Sequence, residues 1–244
     1  MKKAAVFALI LGTALGLAPS ALNSQTVQEV TGQMIAALGG RAALSAVKDI
    51  TYTGSAEMVQ YGMNGTITMY QKEPNKIRMD MGVMGMVITQ AFDGEVGWFT
   101  NPQTGTEDLM NEQQTADMKR QAIGNTALLA PEVLGITYEL KPRETLEGKS
   151  YIVLDQVFKD GLRATNYIDP ETFLTYKTRF TGAAVSGMDP TSEVILSDYQ
   201  KTGDILMANA LTIYQGGLEF VRLKFSKIVV NSGLEDRLFK KSVQ

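Results

Sequence analysis

The chain contains no cysteine and no histidine. Without cysteine there is no disulfide, no thiolate nucleophile, no thiolate-held metal and no lipid attached through an N-terminal cysteine. Without histidine the commonest general base, the usual zinc ligand and every Ser-His-Asp triad are gone. An enzyme built on carboxylates, lysine or tyrosine stays open. Excess charge is lacking too. The 23 basic and 26 acidic residues leave a formal net charge of −3, so no basic surplus points to nucleic acid and no acidic tail points to disorder. P-loop and dinucleotide glycine motifs are missing, and no cofactor or metal is implied.

Long apolar runs are equally scarce, with one exception. After Met1-Lys2-Lys3 comes a 15-residue apolar stretch, Ala4 to Ala18, and then the small residues of "PSALNS". This is the pattern of a secretory signal peptide, with cleavage expected after Ser24. The run is short of the ~18 to 20 residues that a membrane anchor needs. Residues 25–244 are then expected to form one exported domain.

What is present is periodicity. "TVQEVTGQMIAAL" reads as an amphipathic helix with Val27, Val30, Met34 and Leu38 on one face, and Thr26 and Glu29 have capping-box spacing. Gly39 and Gly40 end it, and "RAALSAVKD" makes a second short turn with Leu44 and Val47 inward. From Ile50 the period changes to two, and strands follow one another through turn signals such as "YGMNG", "EPN", "DG" and "DPET". That is an antiparallel meander of about ten or eleven strands. It is interrupted once, by the helical stretch from Asn111 to Gly135. So many strands need a sandwich or a curled barrel to bury their apolar faces, with the helical segments over one opening.

The segment "RMDMGVMGMVITQAFDGEVGWF" (78–99) raises its own question. Seven of the chain's 13 methionines fall between Met58 and Met86, where strands would favour valine or isoleucine. Unbranched, polarizable methionine suits a wall that must re-pack around a flexible ligand. The alternative is an ordinary core that happens to use methionine.

The order of these motifs resembles the LolA-like group, the outer-membrane lipoprotein-sorting proteins of Gram-negative bacteria, with LolB, the regulator RseB and mycobacterial lipid carriers in the wider superfamily. The resemblance rests on "ALGGRAALSAVKDITYTGSAEM", "ITMYQKEPNKIRMDM", "ITQAFDGEVGWFTNPQTG", "YIDPETFLTYKTRF" and "IVVNSGLEDRLF". It implies a mainly β fold with a helical lid, an incomplete, strongly curved antiparallel β-barrel around a greasy cavity. It also implies a periplasmic carrier of lipid or lipoprotein acyl chains, monomeric, with membrane-bound donor and acceptor proteins as partners.

On this reading the cavity-lining candidates are Tyr52, Met58, Ile67, Met69, Ile77, Met79, Met81, Met84, Met86, Ile88 and Trp98. The lid candidates are Met34, Leu38, Met118, Ile123 and Leu128. Lys76, Arg78 and Asp80 form the opposite, solvated stripe of their strand. Two other functions stay in view. One is an RseB-like sensor or interaction module that uses the same cavity. The other is a secreted enzyme using Asp93 and Glu95 as a carboxylate pair, although Asp-Gly is first of all a hairpin turn.

Overall fold

The computed structural model describes residues 25–181 and 191–242. The leader read over 1–24 lies outside the described residues.

The first helix, α1 (Val27–Ala37), starts at the expected capping box. Glu29 N–H donates to Thr26 Oγ1 at 3.2 Å, and Thr26 N–H donates to the Glu29 carboxylate at 2.7 Å. Gly39 and Gly40 follow with φ of +120° and +92°, a left-handed path that turns the chain into α2 (Arg41–Ala46). Leu44 and Val47 are buried as their spacing predicts.

Six strands come next: β1 (Asp49–Met58), β2 (Met63–Lys72), β3 (Lys76–Val83), β4 (Met86–Phe92), β5 (Gly97–Thr100) and β6 (Glu107–Leu109). Two helices interrupt, α3 (Glu112–Gln121) and α4 (Thr126–Leu129). Seven strands close the chain: β7 (Thr137–Leu146), β8 (Lys149–Val157), β9 (Arg163–Ile168), β10 (Thr175–Thr181), β11 (Thr191–Thr202), β12 (Ile205–Gln215) and β13 (Leu218–Val230). All lie in one 13-stranded antiparallel sheet in the order β6-β5-β4-β3-β2-β1-β13-β12-β11-β10-β9-β8-β7. The expected ten or eleven strands become thirteen.

The sheet is two meanders, β1–β6 and β7–β13, joined where β1 pairs with β13. At that seam a register shift falls between Thr53 and Gly54. A Cβ on Gly54 would overlap the Lys224 carbonyl, so only glycine admits so close an approach. Among the described residues β6 and β7 are the two edges, and each pairs on one side alone. The barrel is therefore incomplete. The segment carrying α3 and α4 is the one that runs from one edge to the other, so it spans the opening.

The helices cover one face of the sheet. Val30 and Met34 of α1 pack on Ile152, Leu154 and Ile168 of β8 and β9. Ile35, Leu44 and Val47 pack on Ile50, Tyr52, Ala56, Ile67, Leu223 and Phe225. Met118 and Ala122 pack on Ile77 and Phe92. Cross-strand registers tie this inner face together: Tyr52 opposes Met69, and Met69 opposes Met79. No helix among the described residues is long and apolar enough to cross a membrane.

Candidate functional site

Between the helices and the inner face lies a cavity of about 450 Å³, within the ~300–1,000 Å³ range of small-molecule sites. Its floor is apolar and comes from both meanders: Ile50, Tyr52 and Met69 on one side, and Phe180, Leu196, Leu211 and Phe225 on the other. Its roof is Leu38, Leu44, Ile123, Ala127 and Leu128.

Among the described residues two charged ones line it, Glu73 and Arg120. Glu73 sits just past β2 and caps α4. Its carboxylate accepts from Asn125 N–H at 2.6 Å, Thr126 N–H at 3.4 Å and Thr126 Oγ1 at 2.9 Å. A negative charge is well placed there, where the first amide groups of a helix lack intrahelical acceptors. The contact needs Gly124, because a Cβ at that position would overlap the Glu73 carboxylate. Arg120 donates to Asp160 at 2.9 Å and to Asp117. The neutral polar groups are mostly committed as well. Gln71 Nε2 donates to the Ile123 carbonyl at 3.2 Å, and the Tyr199 hydroxyl to the Thr175 carbonyl at 2.7 Å. Burial pushes the Tyr199 phenol up, and burial followed by the charge of Glu73 does the same for Tyr52. Both stay neutral. Tyr138 shows the same effect of burial, its phenol pushed up to about 12 as it donates to the Ala127 carbonyl.

Of the sheet residues singled out from the sequence, Tyr52 and Met69 line the cavity. Ile67 and Ile77 are on the inner face but sealed in the packed core at 2% and 4% exposure. Met58, Met79 and Met81 pack against that core and stand outside the cavity wall. Ile88 shares the inner face opposite Met81, near the sheet end. Three assignments need correction. Met84 is in the turn between β3 and β4 with φ +52° and is 80% exposed; Met86, which starts β4, is 54% exposed. Both sit at a hairpin tip that no helix covers. Trp98 is on the opposite face. It opposes Ala91, which opposes Arg78, and its Nε1 donates to the Phe239 carbonyl at 2.8 Å. Of the lid residues, Leu38, Ile123 and Leu128 line the cavity, while Met34 and Met118 are spent on holding α1 and α3 to the sheet.

Asp93 closes a turn: its carboxylate accepts from Glu95 N–H at 3.0 Å and Val96 N–H at 2.9 Å. The Glu95 side chain is exposed. The two carboxylates do not face a common cleft, so the catalytic pairing has no geometric support.

The wall from β9 to β13 went unassigned in the sequence. Alternation alone would have put Tyr176 and Phe180 together. A register shift between Thr175 and Lys177 separates them. Phe180 faces the cavity, and Tyr176 stacks on Tyr151 on the outer face with ring centroids 5.0 Å apart.

No family profile matches this chain, and no curated protein matches it by sequence. Solved structures do. A domain from Vibrio parahaemolyticus described as an outer-membrane lipoprotein-sorting protein superposes with a TM-score of 0.59 at 13% identity, covering 87% of this chain and 95% of that one. A DUF1329-family protein from Desulfovibrio piger gives 0.58 at 13% identity over 88% and 97%. A LolA-superfamily protein from Nitrosomonas europaea gives 0.58 at 12% identity over 89% and 99%. At such identities the likeness is one of fold, and the fold of this chain, an open curved sheet roofed by the helices that span its edges, is LolA-like.

Proposed function

We propose that this protein is a periplasmic carrier that shelters an acyl chain of a lipid or lipoprotein in its cavity on the way to the outer membrane. The observation that carries the reading is the apolar cavity held between the inner sheet face and the helices. Each buried methylene stabilises a complex by about 0.8 kcal/mol, so ~10 of them give roughly 8 kcal/mol, equivalent to micromolar affinity. Neither catalysis nor a charged anchor is needed. The signal-peptide pattern of residues 1–24 supports export. The sorting role in the name of the Vibrio relative supports the direction of transport. Membrane-bound donor and acceptor proteins then load and unload the chain.

Native purification followed by mass spectrometry of the extract tests this, together with titration of long-chain fluorescent probes carrying charged and uncharged heads. Co-purifying acyl lipid and saturable micromolar uptake are expected. A protein that carries no lipid and takes up neither probe is not a carrier.

A further inference from the structure

The polar groups of the cavity are unevenly satisfied. Among the described residues no sealed side-chain nitrogen or oxygen lacks a partner. Tyr52 is only 8% exposed, its hydroxyl meets no hydrogen-bond partner among the described residues, and its residue lines the cavity. The oxygen is therefore not sealed, and the cavity is the space that its residue borders. Its ring is fixed against Phe225, with centroids 5.0 Å apart, so the hydroxyl is a positioned group. Gln156 on β8 also lines the cavity, and its side-chain amide has no partner among the described residues.

The charged lining is already neutralised or negative. Glu73 keeps its charge for the start of α4. Arg120 is shared by two carboxylates, Asp117 and Asp160. Among the described residues no other charged residue lines the space. An incoming carboxylate or phosphate would find no free cation and would lie near Glu73. It would lose its hydration without compensation. An ester, alcohol or amide loses far less on entering, and can pair with a neutral hydroxyl that is itself short of a partner.

We propose that the cavity selects acyl chains with an uncharged, hydrogen-bonding head, and that the Tyr52 hydroxyl is the group that reads it. This rests on the carrier reading and narrows it to a ligand class. Gln156 offers a second neutral contact to the same head. Tyrosine can donate to an ester or amide carbonyl and accept from an alcohol, which suits the whole class.

The experiment compares two ligands with the same 16-carbon chain, monopalmitoyl glycerol and palmitate, by displacement of an uncharged fluorescent acyl probe at pH 8. The intact protein is expected to bind the glycerol ester at least tenfold tighter. Tyr52→Phe keeps the ring and its packing, and is expected to weaken the ester roughly three- to tenfold while leaving palmitate unchanged. Glu73→Gln is expected to strengthen palmitate alone. Equal or tighter palmitate binding by the unaltered protein overturns the proposal, and so does a Tyr52→Phe loss that is the same for both ligands. Neither result touches the carrier reading, which fails only if no acyl ligand binds.

Discussion

At the scale of single residues, the methionine-rich strands divide by what lies above them. Met69 looks into the cavity. Met79, its neighbour on β3, is partly buried against Ile77, Phe92 and Met118. Substitution should separate the two roles. Met69→Gln is expected to weaken acyl uptake with little loss of stability, because a cavity wall lacks full packing partners. Met79→Ala should instead cost about 2 kcal/mol, the low end for a methionine that is only partly buried, and leave uptake per folded molecule unchanged. Urea denaturation beside probe titration reads both. If Met79→Ala abolishes uptake at full stability, the cavity reaches further along β3 than the geometry shows. Arg78 belongs to neither role. It donates to Asp80 at 2.9 Å and to the Leu238 carbonyl at 3.0 Å, and its guanidinium lies 5.7 Å from the Trp98 ring centroid.

At the scale of elements, the C-terminal segment is the outer counterpart of the helical roof. It leaves β13 at Asn231, which adopts φ +58° and accepts from Lys48 N–H at 2.6 Å. The Asp49 carboxylate then accepts from Ser232 N–H and Oγ, Gly233 N–H and Leu234 N–H at 2.7–3.2 Å. The segment ends in a single 3-10 turn, Asp236–Phe239, whose Phe239 is fully buried. Phe239→Ala should therefore cost about 3 kcal/mol or more. The chain has one tryptophan, and it is bonded to the Phe239 carbonyl. Its emission should move to the red in the same variant. An unchanged emission maximum would mean that the segment stays seated without its anchor.

The same segment gives acid sensitivity. Hydrogen bonds from Lys72 and then Lys76 hold the Asp236 carboxyl at about 2, against ~3.9 when unfolded. A carboxylate with a depressed folded value binds fewer protons folded than unfolded, so its contribution is complete above about pH 4 and is lost as pH falls through about 2. Glu139 behaves alike. Hydrogen bonds from Lys141 and Arg163 lower it to about 2 as well. The thermal midpoint should fall between pH 4 and pH 2, and Asp236→Asn should flatten part of that fall. An Asp236→Asn profile that matches the unaltered protein would show the ion pair to be fully screened.

At the scale of the molecule, the open sheet makes its roof the movable part. The strands are tied to neighbours along their length by backbone ladders, whereas α3 and α4 are held mainly by side chains: Met118 and Ala122 below, Glu73 at the start of α4, Gln71 and Tyr138 bonded to the Ile123 and Ala127 carbonyls, Arg120 paired with Asp160, and Arg41 bonded to the Leu129 carbonyl at 3.0 Å. Elements with few buried contacts open first. Hydrogen exchange should show residues 112–129 opening more readily than β1, β2 and β13, and slowing when an acyl ligand is added. Equal protection of roof and strands, unchanged by ligand, would show that the cavity fills without moving this segment.

Much of this was legible in the sequence because it is local. The capping box of α1, the glycine stop, the hairpin at Asp93-Gly94 and the alternation of β1 to β4 depend on residues a few positions apart. Alternation also put Met79 and Met81 on one face and Arg78 and Asp80 on the other, as the registers have it. It went wrong at Tyr176, where a register shift reverses the face. It was silent on which inward residues would be packed and which would border a void, since that depends on where α3 and α4 come to rest. The face of Trp98 was equally illegible, because the partner that covers it lies 141 positions away. Sequence by itself determined the elements, their period and the resemblance that named the fold, through forces that act along the chain. Tertiary structure alone decided the cavity, the commitment of its charges and the tyrosine hydroxyl left open to it, because burial and pairing are set by segments that meet only when the sheet curls.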